Sequence, residues 1–471
     1  MDLNSMRPLH LAACRGHYLS AQLLLENHAD PNAPGPDGKT ALRLASDGGF
    51  FEVVELLLQY RARVNARDKQ NFTALHAAAK IGDDETVKIL VKNGADVEAK
   101  DGDMMAALHY AADGDHDIAV NTLLVNGANM EEPGRKGMTP LAVASAAGSL
   151  QVVNLLLSRK ANTKCKAEGD MLPIHWASLN GHDEIVKLLL HKKRMVDART
   201  AGGQTPLHLA VQAKSFPVTE LLLRRDADIE ALCSRGFRPL HYACNGVSVD
   251  KEIIKLLLGH NPQIEATVNL MSTPLHLATI GGHASAVEML LEKGADMEVR
   301  DAKGERPLGL ASMYGHLEVV RLLLNRGAAI QLRPPRFSAD DSPLCKACAA
   351  GHLSIAREFL KHGAYIRQRD ELNSTPLRYA AYHGHPELVK FLLFKGATTI
   401  GMDLRAGTTE AAFENRMGFA PDVNRQARTK VNELLKAAVE KETKPERVNE
   451  GDPFLTTTAN DGRVKYIYEA G

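Results

Sequence analysis

The sequence predicts an all-α repeat solenoid, and three observations predict it. First, a seven-residue core recurs along the chain, as RPLHLAA at Arg7 and TPLHLAT at Thr273. Second, its fourth residue, the anchor, falls at 10, 43, 76, 109, 142, 175, 208, 241, 276, 309, 345 and 378. Nine of the eleven steps are 33 residues and the other two are 35 and 36. A fixed period of that size overrides the roughly three domains that length alone would suggest. Third, Val and Leu follow each core at i, i+3, i+4 spacing, as in VVELLL (53–58) and VVRLLL (319–324), which is helical. Each unit is then a pair of short helices that must stack on its neighbours to bury an apolar face.

The elements of one unit follow in order. Pro after the first core residue suits the first turn of a helix, where its missing N–H is not needed. Small Ala residues let that helix pack closely. Six residues past the anchor stands Gly, often in Gly-His, as in Gly181-His182 and Gly384-His385, which ends the helix in a left-handed conformation. The Val/Leu helix comes next, and a Gly-Ala such as Gly94-Ala95 closes it. The polar Asp/Gly-rich remainder makes a tight hairpin into the next unit.

With T-P-L-H-x-A at Thr205 and Thr273, this 33-residue unit resembles the ankyrin repeat. The resemblance implies a slightly curved stack of helix-turn-helix units with β-hairpin fingers along one edge. Such a stack has no built-in catalytic pocket. Residues 1–400 hold twelve repeats. Residues 401–441 read as a degenerate thirteenth repeat and cap, with Thr409 where Thr375 stood and an amphipathic helix at 425–441. The polar stretch 442–471, interrupted by Pro445 and Pro453, reads as a disordered tail. The array starts at a repeat boundary without a polar cap, which points either to a tolerant first unit or to more protein upstream.

Composition narrows the function. Lys+Arg and Asp+Glu both total 57, so bulk electrostatic binding of nucleic acid is not expected. No run approaches the ~18 apolar residues of a membrane span, and the stretch MDLNSMRPLHLAA has neither the basic segment nor the unbroken apolar run expected of a signal peptide. Six scattered Cys suit a reducing compartment, cytoplasm or nucleus.

Several local patterns imitate chemistry. Cys345-x-x-Cys348 with His352 resembles half a zinc site, yet all three fall on repeat positions and no second C-x-x-C supplies the remaining ligands. They read as packing residues. GPDGKT (35–40) lacks the first Gly of a phosphate-binding loop, and DGDHD (113–117) lacks the closing Glu of a calcium loop. Seven of the 19 His are anchors and six belong to Gly-His pairs, so they too read as structural, the anchors bonding backbone between hairpins. HKKR (191–194) reads as a cationic helix end ahead of a nuclear-import signal. No cofactor, metal site or enzymatic signature is expected.

What remains is binding. The resemblance implies partner contacts from hairpin tips and exposed first-helix positions. Four residues before the anchor, Phe72, Met105, Met138 and Met171 come from adjacent units, with Phe237 further on. They are expected to form an exposed apolar ladder suited to an adaptable partner. Met313, Tyr314 and Tyr382 occupy first-helix positions, and Arg333, Arg336 and Phe337 lie on an enlarged hairpin. The leading expectation is a non-enzymatic scaffold or adaptor for protein partners. The alternative is a regulatory or sensor array of a larger assembly, such as a transcriptional coregulator or a NACHT-type receptor.

Overall fold

The computed structural model describes residues 6–190, 195–330, 342–369, 374–399 and 423–443. The helices of the first four units are α1 Pro8–Cys14, α2 Tyr18–Glu26, α3 Ala41–Asp47, α4 Phe51–Gln59, α5 Ala74–Ile81, α6 Asp84–Lys92, α7 Ala107–Asp113 and α8 Asp117–Val125. The next four units hold α9 Pro140–Ala147, α10 Leu150–Ser158, α11 Pro173–Asn180, α12 Asp183–Leu189, α13 Pro206–Gln212, α14 Phe216–Arg224, α15 Pro239–Cys244 and α16 Lys251–Gly259. Then follow α17 Pro274–Ile280, α18 Ala284–Glu292, α19 Pro307–Tyr314, α20 Leu317–Asn325, α21 Pro343–Ala349, α22 Leu353–Lys361, α23 Pro376–Tyr382, α24 Pro386–Phe394 and α25 Arg425–Thr443. The fold is the all-α repeat solenoid that the period predicts.

Local chemistry sets each boundary. In α3, α5 and α9 the preceding Thr hydroxyl accepts the anchor N–H at 3.3–3.4 Å, satisfying one orphan donor. Gly82, Gly148 and Gly181 end first helices at φ of 74°, 88° and 79°. The residue after each donates its N–H back five residues, as His182 to the Ala177 carbonyl at 2.9 Å. Two units place another residue there in the same conformation: Asp115 and Lys214 hold φ of 58° and 57°. Second helices close the same way, with Ala95 N–H on the Leu90 carbonyl at 3.0 Å.

Hairpins are closed by one backbone bond each, such as Asp101 N–H to the Met105 carbonyl at 3.0 Å. Among the described residues the expected β-hairpins reduce to turns, plus a single bridge between Val268 and Ser272. The tight tip holds too few residues to extend a ladder.

The chain divides into two compact units. The first comprises Met1–Ala311 with Glu318–Ala328, the second Ser312–Leu317 with Ala329–Gly471. In the first, consecutive first helices pack side by side from α1 to α17, and consecutive second helices likewise from α2 to α18. Ala45, Ala78, Ala111, Ala144 and Ala177 are wholly buried in the first-helix layer. Leu75, Leu108, Leu141 and Leu207 are also fully buried, each worth roughly 1.5–3 kcal/mol. In the second, α21 packs on α23 and α24 on α25. Val431, Leu435 and Val439, at i, i+4, i+8 spacing, are the buried face of α25. The worn copy expected at 407–418 lies outside the described residues.

Candidate functional site

The recurrent histidines are the titratable side chains repeated along the array, and the geometry gives the anchor rings structural partners. Each of the seven anchor rings, His10, His76, His109, His175, His208, His241 and His276, accepts its own N-cap backbone N–H at Nδ1, at 3.0–3.1 Å. Nε2–H then donates to a carbonyl of the next hairpin at 2.9–3.2 Å. An Nδ1 that accepts must be unprotonated, so these rings are neutral, with the tautomer set by the network. Burial lowers all seven pKa values, those of His208 and His241 to about 4. The expectation of backbone ties between hairpins is met at every anchor His.

A second set of rings points the other way, from the start of a second helix to the preceding unit. His182 Nε2 lies 3.1 Å from the Ala146 carbonyl, His283 2.8 Å from that of Gly246, and His385 2.9 Å from that of Ala349. His116 does the same at Lys80, 3.3 Å away, although no Gly precedes it directly in sequence. This explains Gly82, whose Cβ would fall 2.2 Å from the His116 ring. Sequence reasoning also missed a side-chain ladder between hairpins. Asn32, Asn65, Glu98, Glu131, Asp197, Glu230 and Glu265 each accept a backbone N–H of the following unit, at 2.6–2.9 Å. Their 33-residue recurrence was the available signal.

The imitations of catalytic motifs dissolve in the same way. Cys345 and Cys348 are buried free thiols, and burial pushes the Cys348 thiol well up, away from the reactive thiolate. His352 Nε2 sits 3.2 Å from the Met313 carbonyl. Within DGDHD, Asp115 accepts the Val152 N–H at 3.0 Å.

The apolar ladder is corrected. Phe72 is buried, 8% exposed, and Met105, Met138, Met171 and Phe237 are half-buried, so no open strip exists. The cause is hairpin closure. The Asp101 carboxylate accepts the Met105 N–H at 2.9 Å, while the Met105 carbonyl takes Asp101 N–H and His76 Nε2–H. Closure fixes the Met105 backbone, and its side chain lies between hairpins, with Sδ 3.3 Å from the Arg135 nitrogen. Phe72 packs on Arg43 at 4.3 Å and on the Tyr110 ring at 5.1 Å. Phe237 likewise meets Tyr242, with ring centroids 5.7 Å apart. Replacing Met105 and Met138 by Ser together is therefore expected to cost on the order of 2 kcal/mol of stability. A thermal melt checks it, and an unchanged midpoint would restore the exposed ladder.

The candidate residues that are exposed lie in the second compact unit. Met313, Tyr314 and Tyr382 are 37%, 50% and 40% exposed, at the C-terminal ends of α19 and α23. Tyr314 stacks on His316 with centroids 6.4 Å apart, and Tyr382 meets His383 edge-on at 5.0 Å. His352 bonds the Met313 carbonyl at the end of α19, and His385 the Ala349 carbonyl at the end of α21. Arg333, Arg336 and Phe337 lie outside the described residues.

The family model for ankyrin repeats, written as three copies, matches residues 9–101, 100–167, 174–269, 240–334 and 332–403. Among solved structures, the crystal structure of the human ASB11 ankyrin repeat domain is similar, at 27% identity and a TM-score of 0.44. The match covers 47% of this chain and 98% of that one. No curated protein matches. With twelve helix pairs in one register and the family model matched along most of its length, the chain belongs to the ankyrin-repeat family, whose members generally serve protein–protein interaction.

Proposed function

We propose that the chain is a non-enzymatic scaffold or adaptor that holds protein partners on hairpin tips and first-helix surface, centred on Met313, Tyr314 and Tyr382. The observation that carries this reading is the exposure of two aromatic rings and a Met at the ends of α19 and α23. Rigid, partly exposed Tyr side chains supply contact area at low entropic cost, and Met adapts to varied surfaces. A protein segment with spaced apolar side chains is the matching partner. Residues 1–400 serve as the array, 401–441 as worn repeat and cap, and 442–471 as tail; the packing of α25 on α24 supports the cap. Six free cysteines suit a cytoplasmic or nuclear setting, and no helix among the described residues is long and apolar enough to cross a membrane.

The test is the double substitution Tyr314→Ser/Tyr382→Ser in the full chain. Partner capture is expected to fall more than tenfold with the melting midpoint within about 2 °C of the parent, because exposed side chains contribute little to folding. Unchanged capture would place the contact elsewhere. A second reading, a sensor or regulatory array inside a larger assembly, draws support from the exposed face of α2, where Tyr18, Leu19 and Leu23 are open.

A further inference from the structure

On the outer side of the second compact unit, the C-terminal ends of α22 and α24 bound an open groove of about 650 Å³. Its apolar side is formed by Phe391 and Phe394, the latter 83% exposed. Cations frame it. Arg357 stands 5.2 Å above the Phe391 ring and Lys395 5.9 Å from the Phe394 centroid, while Lys361 remains exposed beside its 3.6 Å pair with Glu358. Stacking does not require an aromatic at Phe394. The same register position carries Glu26, Gln59, Lys92, Ser158, Arg224 and Asn325 in other units.

A cleft with aromatic walls and three cations fits a short segment that joins an aromatic to carboxylates. The chain contains one, Glu450-Gly451-Asp452-Pro453-Phe454-Leu455, outside the described residues. It is tethered close by. The Glu442 carboxylate accepts the Thr399 N–H at 2.9 Å and its hydroxyl at 2.5 Å, which holds the end of α25 at Thr399. Thr399 follows Phe394 by five residues, so the two lie no more than about 19 Å apart. The twelve residues from Glu442 to Phe454 reach up to about 40 Å. Tethering at that range gives a millimolar effective concentration, so weak intrinsic affinity is enough.

We propose that residues 450–455 dock in this groove of their own chain. Phe454 and Leu455 cover Phe391 and Phe394, and Glu450 and Asp452 face Arg357, Lys361 and Lys395. The segment thereby covers an aromatic surface that would otherwise stay open to solvent.

Photo-crosslinking tests this in the full chain. With p-benzoylphenylalanine at position 394, or at exposed position 361 as a second placement, irradiation is expected to join that site to residues 450–455. A mixture of isotopically light and heavy protein should show the link within one copy. Its yield should fall at least fivefold in Asp452→Lys/Phe454→Ala. Links between copies, links only to other segments, no link from either position, or a yield unaffected by the double substitution would each overturn the proposal.

Discussion

Between pH 7 and pH 4 the protein is expected to lose stability steeply, with the loss beginning near pH 6.5. Burial holds His208 and His241 near 4 against an ordinary 6.5, and lowers the other five anchors in the same direction. Protonating Nδ1 would turn the acceptor of an N-cap N–H into a donor that faces a donor. An unfolded chain takes up these protons near 6.5; in the folded chain His208 and His241 take theirs up only near 4, and burial holds the other five below 6.5. Between those values the unfolded state holds more protons, so stability falls as pH falls. Above 6.5 the seven sites contribute their full stabilisation; that of His208 and His241 is gone below about 4. At ~1.4 kcal/mol per pKa unit, His208 and His241 supply at most on the order of 3 kcal/mol each. The midpoint should drop by on the order of 10 °C or more. Melts followed by circular dichroism at pH 7, 5.5 and 4.5 measure it, and a flat profile between 6.5 and 4 would sink the neutral-histidine ties.

Residues 210–255 should open ahead of the rest. Three local faults coincide there. Lys214 holds φ of 57°, a conformation that costs a β-carbon-bearing residue about 1 kcal/mol. The first helix of the next unit, α15, is only six residues long. A cavity of about 300 Å³, lined by Val211, Lys214, Tyr242, Asn245 and Ile253 among others, lies between these units. Since stability in a repeat array is a sum of neighbour terms, a weak junction opens locally. Amide exchange across 210–255 should run at least tenfold faster than across 60–160. At the first-helix stop that reference block also has a left-handed residue in place of glycine, Asp115, but Asp tolerates this conformation better and its carboxylate is bonded to Val152; the other left-handed non-glycine residues there, Arg61, Asn71, Met104, Lys136 and Lys160, lie at second-helix ends and hairpin tips. Lys214→Gly should recover on the order of 1 kcal/mol and slow the exchange. Equal protection in the two blocks would contradict this account.

The fold was legible because every determinant of a unit is local. Pro173 at the first turn, Gly181 at the left-handed stop and Leu189 on the buried stripe can each be placed from spacing alone. The Cys pair was legible for the same reason, since Cys348 takes a position where other units carry Ala13 or Ser46. The outlook of Met105 was not. Its backbone is held by three hydrogen bonds, one of them from His76, a residue 29 positions earlier, and its sulfur lies against Arg135 of the next hairpin. Single-position polarity likewise gives no hint that Phe72 is covered, because Arg43 and Tyr110 reach it from neighbouring units. Exposure is set by what the next repeat lays on a side chain, and that is a tertiary fact.

The most direct test of the binding account is hydrogen exchange on the full chain, free and with its captured partner bound. Slowed exchange at residues 312–316 and 379–385, with the hairpins around Phe72, Met105 and Met138 unchanged, is the predicted result. Protection confined to residues 72–171, with the Tyr314 and Tyr382 helix ends unaffected, would contradict it.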